Sequence, residues 1–164
     1  MIPKRILFCT DFSENSRAAR SCALDYARIF GASLTILHVI NSSEIGFPSL
    51  DETVPVDIQS AIRNIEESVD KALELITHEC RKIISKVAAY KTSGTPSYEI
   101  VRYADDQKME LIVLGTHGWT GFRHLILGST AENVVRTANC PVLTVRSIEA
   151  PKRKRRRFIR SKHI

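Results

Sequence analysis

Leu111-Ile112-Val113-Leu114-Gly115-Thr116-His117-Gly118, nine further residues, and then Gly128-Ser129-Thr130-Ala131-Glu132-Asn133-Val134-Val135-Arg136 form the stretch that decides the fold. The four apolar residues at its start predict a buried strand, and the run from Ser129 predicts a helix. Between them lies a glycine-containing loop. Glycine lets a backbone approach an anion with no side chain in the way. The first turn of a helix has N–H groups without partners and the positive end of the macrodipole. Ser129 and Thr130 add hydroxyl donors at that end. Strand, glycine loop and helix start together predict a phosphate cradle. No Gly-Lys-Ser/Thr is present, so it is not a Walker A loop, and the glycines are too far apart for the dinucleotide fingerprint.

The rest of the chain repeats the same alternation. Lys4–Thr10, Ser33–Ile40, Lys86–Thr92, Leu111–Leu114 and Pro141–Arg146 read as five strands. Helices are expected over Ser13–Phe30, Ile58 to about Ile84, Ser97–Ala104 and Ser129–Ala138. Ser13 is placed to cap the first helix and Gly31 to stop it, and Gly94-Thr95-Pro96 sets proline in the first turn of the third. The second helix shows Ile58, Ile62, Ile65, Val69, Ala72, Leu73 and Ile76 on one face, which predicts core. Asn41–Pro55, with Gly, two Pro and several Ser, reads as a surface loop.

Strands apolar on both faces, alternating with helices, predict a parallel sheet covered on both sides. The fold class is therefore α/β: a single Rossmann-like domain whose five parallel strands lie in the order 3-2-1-4-5. Ligands of such sheets bind beyond the strand C-termini where the order reverses. That point lies between the first strand, ending at Thr10-Asp11, and the fourth, ending at Gly115-Thr116. Asp11 has two readings: a ligand contact at the switch point, or a residue that serves only the first helix's N-terminus.

A chain of 164 residues buries roughly 70% of its unfolded surface as one domain. No apolar run approaches the roughly 20 residues of a membrane span. The start, Met1-Ile2-Pro3-Lys4-Arg5, leads directly into a strand, which predicts no signal peptide. Cys9, Cys22, Cys80 and Cys140 show no close pairing for zinc or redox chemistry, and inert thiols in a reducing cytoplasm are expected. The net charge of +6 comes from one segment. Residues 147–164 hold eight Lys/Arg and one Glu, or +7, which leaves −1 on residues 1–146. The domain is thus expected over 1–146, with 147–164 as a disordered basic tail. Lys152–Lys162 is either a solvated extension or an arm for non-specific polyanion contact.

These residues resemble the universal stress protein family, specifically its ATP-binding branch. The resemblance spans nearly all of residues 2–146. The family signature is Gly, two residues, Gly, nine residues, Gly, Ser/Thr, which Gly115, Gly118, Gly128 and Ser129 fit without a gap. Thr10-Asp11-Phe12-Ser13, Leu37-His38-Val39 and Asn139-Cys140-Pro141-Val142-Leu143 match in the same order. The resemblance implies ATP, accompanied by Mg²⁺, as ligand. It sets Thr10 and Asp11 at the nucleotide, with Asp11 beside the ribose or a metal, and has Val39 offer backbone groups to adenine. It assigns Gly115, Thr116 and Gly118 to the ribose and phosphate region and gives the phosphates to Gly128, Ser129 and Thr130. It further implies a homodimer through the Pro141–Arg146 strand and a cytoplasmic, nucleotide-responsive regulator of stress survival that acts on a protein partner. Some members hydrolyse ATP slowly. This chain has no P-loop lysine or recognisable arginine finger, so turnover is expected to be slow or absent. His117 and Arg123 lie in the loop between the glycines as further polar candidates, and Trp119 and Phe122 as aromatic ones.

Overall fold

The chain runs β1 (Arg5–Cys9), α1 (Glu14–Phe30), β2 (Ser33–Asn41), α2 (Ile58–Arg81), β3 (Val87–Gly94), α3 (Pro96–Asp106), β4 (Leu111–Gly115), α4 (Ser129–Thr137) and β5 (Val142–Val145). This is a computed structural model that describes residues 2–41, 58–116 and 127–146. The strands form one sheet in the order β3-β2-β1-β4-β5, and every adjacent pair is parallel. The expected fold class and strand order are those observed.

Side chains alternate across the sheet, so β1 feeds two cores. Ile6 and Phe8 pack with Leu34, Ile36 and Val113 beneath α1 and α2. Leu7 and Cys9 pack with Leu37, Ile112 and Leu114 beneath α3 and α4. This is why the strand has no polar face: Ile6, Leu7 and Phe8 are all at most 1% exposed. Ala19, Ala23 and Ala27 form the buried stripe of α1, and their small size lets the helix lie close against the sheet. Ser13 caps α1 by accepting from the Ser16 N–H, and Gly31 ends it at φ +61. That left-handed conformation costs an L-residue about 1–2 kcal/mol.

Several boundaries move. α2 stops at Arg81, before the expected Ile84, because Ile83 and Ile84 both donate to the Cys80 carbonyl, at 3.0 and 3.1 Å, in a turn. Ile84 still packs on the core, which kept the helical spacing going in the sequence. β3 runs on to Gly94, two residues further than expected, because Asn41 of β2 pairs with it. α3 begins at Pro96, with Thr95 at the N-cap position but no capping bond from its side chain, and extends to Asp106. α4 ends one residue early, at Thr137. β5 is Val142–Val145: the Pro141 carbonyl accepts from the Ile112 N–H at 3.0 Å, but proline has no N–H to return. Most of the expected loop Asn41–Pro55 lies outside the described residues, and Asn41 itself is the last residue of β2. No described helix is long and apolar enough to cross a membrane.

Candidate nucleotide-binding crevice

A cavity of about 590 Å³ opens at the C-terminal edge of the sheet, where β1 and β4 lie side by side and their following helices leave in opposite directions. Its size is that of a small-molecule site. Thr10, Asp11, Val39, Gly115, Thr116, Gly128, Ser129 and Thr130 all line it. Gly118 lies outside the described residues, as do His117, Trp119, Phe122, Arg123 and the Lys152–Lys162 segment. The structure therefore brings together eight of the nine residues singled out for the ligand.

The β1–α1 turn forms one wall. The Thr10 N–H donates to the Leu37 carbonyl at 2.9 Å, which continues the β1–β2 pairing by one residue. Ser16 Oγ donates to the Ser13 carbonyl at 2.8 Å. Its proton is thereby used, so Thr10 Oγ1 is the donor across the 3.1 Å contact with Ser16 Oγ. Thr10 Oγ1 accepts in turn from the Phe12 N–H at 3.0 Å. Asp11 Oδ1 accepts from the Ser13 N–H at 3.0 Å and from Ser13 Oγ at 2.6 Å. The other carboxylate oxygen, Oδ2, is buried and has no partner among the described residues. The two readings of Asp11 are thus divided between its oxygens: Oδ1 orders the start of α1, and Oδ2 is left without a donor. A buried polar atom in that state costs about 1–3 kcal/mol.

α4 forms the opposite wall. Its N-cap is Gly128, and among the described residues no side chain caps the helix. The Gly128 N–H donates to the Thr116 carbonyl at 2.7 Å, and the Thr116 N–H to the Val145 carbonyl at 3.0 Å. These bonds pin the helix start to the ends of β4 and β5. The Gly128 carbonyl accepts from the Glu132 N–H at 2.9 Å. The N–H groups between them, of Ser129, Thr130 and Ala131, have no acceptor earlier in the helix. Gly128 has φ −71 and ψ 153, which any residue adopts. Its conformation does not call for glycine; what glycine contributes there is the absence of a side chain in front of those N–H groups.

The third side is apolar. Val39, Ile40 and Asn41 end β2, Ile65 comes from α2, and Pro96 and Ile100 from the first turns of α3. Ile65 corrects its assignment to core: it is 39% exposed and lines the cavity. Pro96 and Ile100 were not singled out for the ligand, although a helix that follows β3 must begin at this same sheet edge. His38 lies between the walls. Its Nδ1 is 2.8 Å from the Thr10 carbonyl, and its ring stacks on Phe12 with centroids 4.3 Å apart. Phe12 has φ +62, unusual for a residue with a side chain.

Cys9 lines the cavity, but burial pushes its thiol far above the ordinary range, so it holds its proton. Burial also raises Cys22, Cys80 and Cys140. Among the described residues that line the cavity there is no lysine or arginine. No cluster of three or more His, Cys, Asp or Glu side chains able to hold a metal occurs among the described residues.

The model of the universal stress protein family matches residues 3–146. Universal stress protein MJ0577 of Methanocaldococcus jannaschii is 31% identical over 154 residues, spanning 87% of this chain and 94% of that protein. Universal stress protein MJ0531 of the same organism is 33% identical over 144 residues, with 87% and 82% covered. The solved structure of MJ0577 matches with a TM-score of 0.79 at 31% identity, covering 92% of this chain and 100% of that one. A universal stress protein solved in complex with cAMP matches with a TM-score of 0.64, covering 89% of this chain and 98% of that one. At 21% identity, that last likeness shows a common fold.

Proposed function

This chain belongs to the universal stress protein family, and on that premise we propose that it binds ATP in the crevice between β1 and β4 and works as a cytoplasmic, dimeric, nucleotide-responsive regulator of stress survival. The observation that carries the reading is that one cavity pairs a helix N-terminus with a carboxylate oxygen, and among the described residues the first has no side-chain cap and the second no partner. The first accepts an anion and the second takes a hydroxyl donor or a cation, and a nucleoside phosphate has both. The phosphates rest on Gly128, Ser129 and Thr130, with Gly115, Thr116 and Gly118 along the ribose and phosphate. Asp11, beside Thr10, takes the ribose. The base lies along the Val39 backbone, against the apolar side made by Ile65, Pro96 and Ile100.

Mg²⁺ fits this arrangement, since it is held by one or two carboxylates together with substrate phosphates. Asp11 would be the carboxylate that holds it, its Oδ2 then facing the ion in place of the ribose, with phosphates and waters as the other ligands. When bound, the ion neutralises phosphate charge. The protein's own part is to bind and orient, for a cavity without lysine or arginine among its described lining has little with which to stabilise phosphoryl transfer.

The dimer uses β5. Among the described strands it is an outer one, with no described strand paired to one edge of its N–H and C=O groups. All four of its residues are half-buried, and Leu143 and Val145 pack against the same core as the partly buried Tyr26 and Phe30 of α1. The unpaired thiols suit a reducing compartment. The domain ends near residue 146, where the family match also ends, and 147–164 is a separate basic segment. Its charge supports a second role, loose polyanion contact through Lys152–Lys162, and the regulatory signal passes to a protein partner. Titration calorimetry with ATP tests the central reading. Saturable heat is expected, and no binding up to about 1 mM, weaker than about −4 kcal/mol, would overturn it.

A further inference from the structure

We propose that His38 is a positioning residue that sets the Asp11 carboxylate for the nucleotide, an inference that rests on the reading of the crevice given above. His38 grips the residues on both sides of Asp11. Its Nδ1 lies 2.8 Å from the Thr10 carbonyl. A carbonyl only accepts, so Nδ1 carries the proton and the ring donates. On the other side the ring stacks on Phe12, with centroids 4.3 Å apart and planes inclined by 27°.

Phe12 needs that hold. A phenylalanine at φ +62 persists only where its surroundings fix it, and such residues cluster at functional sites. Among the described residues its N–H on Thr10 Oγ1, its ring on His38 and its packing against the core beneath α1 and α2 fix this one. With Thr10 and Phe12 both held, the peptide planes flanking Asp11 cannot turn freely. The carboxylate keeps Oδ1 on Ser13 and Oδ2 apart from it. If the turn relaxes, Phe12 returns to an ordinary φ and the Asp11 side chain swings with it.

The placement of His38 is itself secured by strand register. His38 sits opposite Lys91 in the β2–β3 pairing, and β1 pairs with β2 as far as Cys9 with Leu37. Leu37 takes the Thr10 N–H, His38 gives to the Thr10 carbonyl, and Val39 lines the cavity. Three consecutive residues of β2 therefore hold the ribose-side carboxylate and border the base.

The test uses the full chain with His38→Leu, His38→Asn, Asp11→Asn and the pair His38→Leu/Asp11→Asn. Leucine removes both donor and ring, while asparagine keeps a donor near the Nδ1 position. Amide hydrogen exchange is read first, without nucleotide. In His38→Leu the Phe12 and Ser13 amides should exchange at least about tenfold faster, with β4 amides unchanged, and His38→Asn should restore much of the protection. Calorimetry with ATP is read second. His38→Leu should weaken binding about tenfold, the scale of one hydrogen bond, and His38→Asn by less. In the Asp11→Asn background the same leucine change should cost under about twofold, because its effect runs through the carboxylate. Unchanged Phe12 and Ser13 exchange, or an equal loss of ATP affinity in both backgrounds, would overturn the inference. If the unmodified chain binds no ATP, the nucleotide reading fails, and the exchange measurement alone decides whether His38 holds the turn.

Discussion

Replacing Asp11 by asparagine separates the observed task of its carboxylate, holding Ser13, from the proposed one, holding the ligand. The asparagine Oδ1 can still accept from the Ser13 N–H and Oγ, which now stand 3.0 and 2.6 Å from the aspartate. The second oxygen, buried and unpartnered, becomes an amide nitrogen. Three effects on stability oppose one another. The amide nitrogen is still a buried polar atom without a partner among the described residues, so losing the charged oxygen there relieves only part of the about 1–3 kcal/mol that such an atom costs. Losing the charge at the start of α1 costs about 0.3–1 kcal/mol, and turning a charge-assisted bond into a neutral one costs about 1 kcal/mol. The net change should stay within about 1 kcal/mol, which moves Tm by no more than about 2–4 °C in a chain of this size.

Binding has no such compensation. A ligand hydroxyl that donates to a carboxylate contributes about 1.5–3 kcal/mol, so ATP affinity should fall about 10- to 150-fold. The sign is informative. If Asp11 instead lay about 8 Å from bare phosphate, their repulsion at an effective dielectric of about 20 would be about 2 kcal/mol per charge. Asparagine would then tighten binding roughly 30-fold. Titration calorimetry at fixed ionic strength, with Mg²⁺ and again with chelator, reads the affinity, and thermal melting followed by circular dichroism reads the stability. An affinity within twofold of the unmodified protein, or a tighter one, refutes the assignment of Asp11 to the ribose or metal side.

Gly128→Val should fold normally, since φ −71 and ψ 153 suit valine, yet place a side chain before the α4 N–H groups and abolish ATP binding by calorimetry, alone or with Gly118→Val. Thr144→Pro removes an N–H donor from the open edge of β5, since Pro141 and Val145 turn their carbonyls to β4 and the alternate residues face outward, so sedimentation velocity at micromolar concentration should show its dimer weakened, whereas a monomeric unmodified protein would speak against the β5 interface altogether. Steady-state ATP hydrolysis should stay well below about 1 s⁻¹, beneath the usual enzyme range, and a faster rate in a phosphate-release assay would promote an enzymatic role. Deleting 151–164 should leave ATP affinity intact and remove salt-sensitive binding to labelled DNA or anionic vesicles, measured by anisotropy; five phosphate contacts on duplex DNA would give a log–log salt slope of about −4.5.

The parts of the fold that could be read in advance are those where burial is symmetrical. Ile6-Leu7-Phe8 and Ile112-Val113-Leu114 are apolar without alternation because both sheet faces are covered, and that pattern implies parallel strands. β3 is fainter because it is the opposite edge: Ala88, Ala89 and Tyr90 are exposed, so its pattern carries less contrast and its end was misplaced. The α4 side of the crevice was legible through Gly128 and the helix start. The other sides were less so. Ile65 has the spacing of a core residue, and only the tertiary position of α2 sets it at the cavity. The stack of His38 on Phe12 joins residues 26 apart through the β1–β2 register, and a left-handed phenylalanine has no sequence signature.

A crystal structure of the protein grown with ATP tests the account most directly. The account predicts phosphate oxygens within hydrogen-bonding distance of the Ser129 and Thr130 N–H groups, the ribose beside Asp11, and the base along Val39. Nucleotide density seated elsewhere on the molecule, or a β1–β4 crevice without nucleotide in crystals grown at saturating ATP, would contradict it.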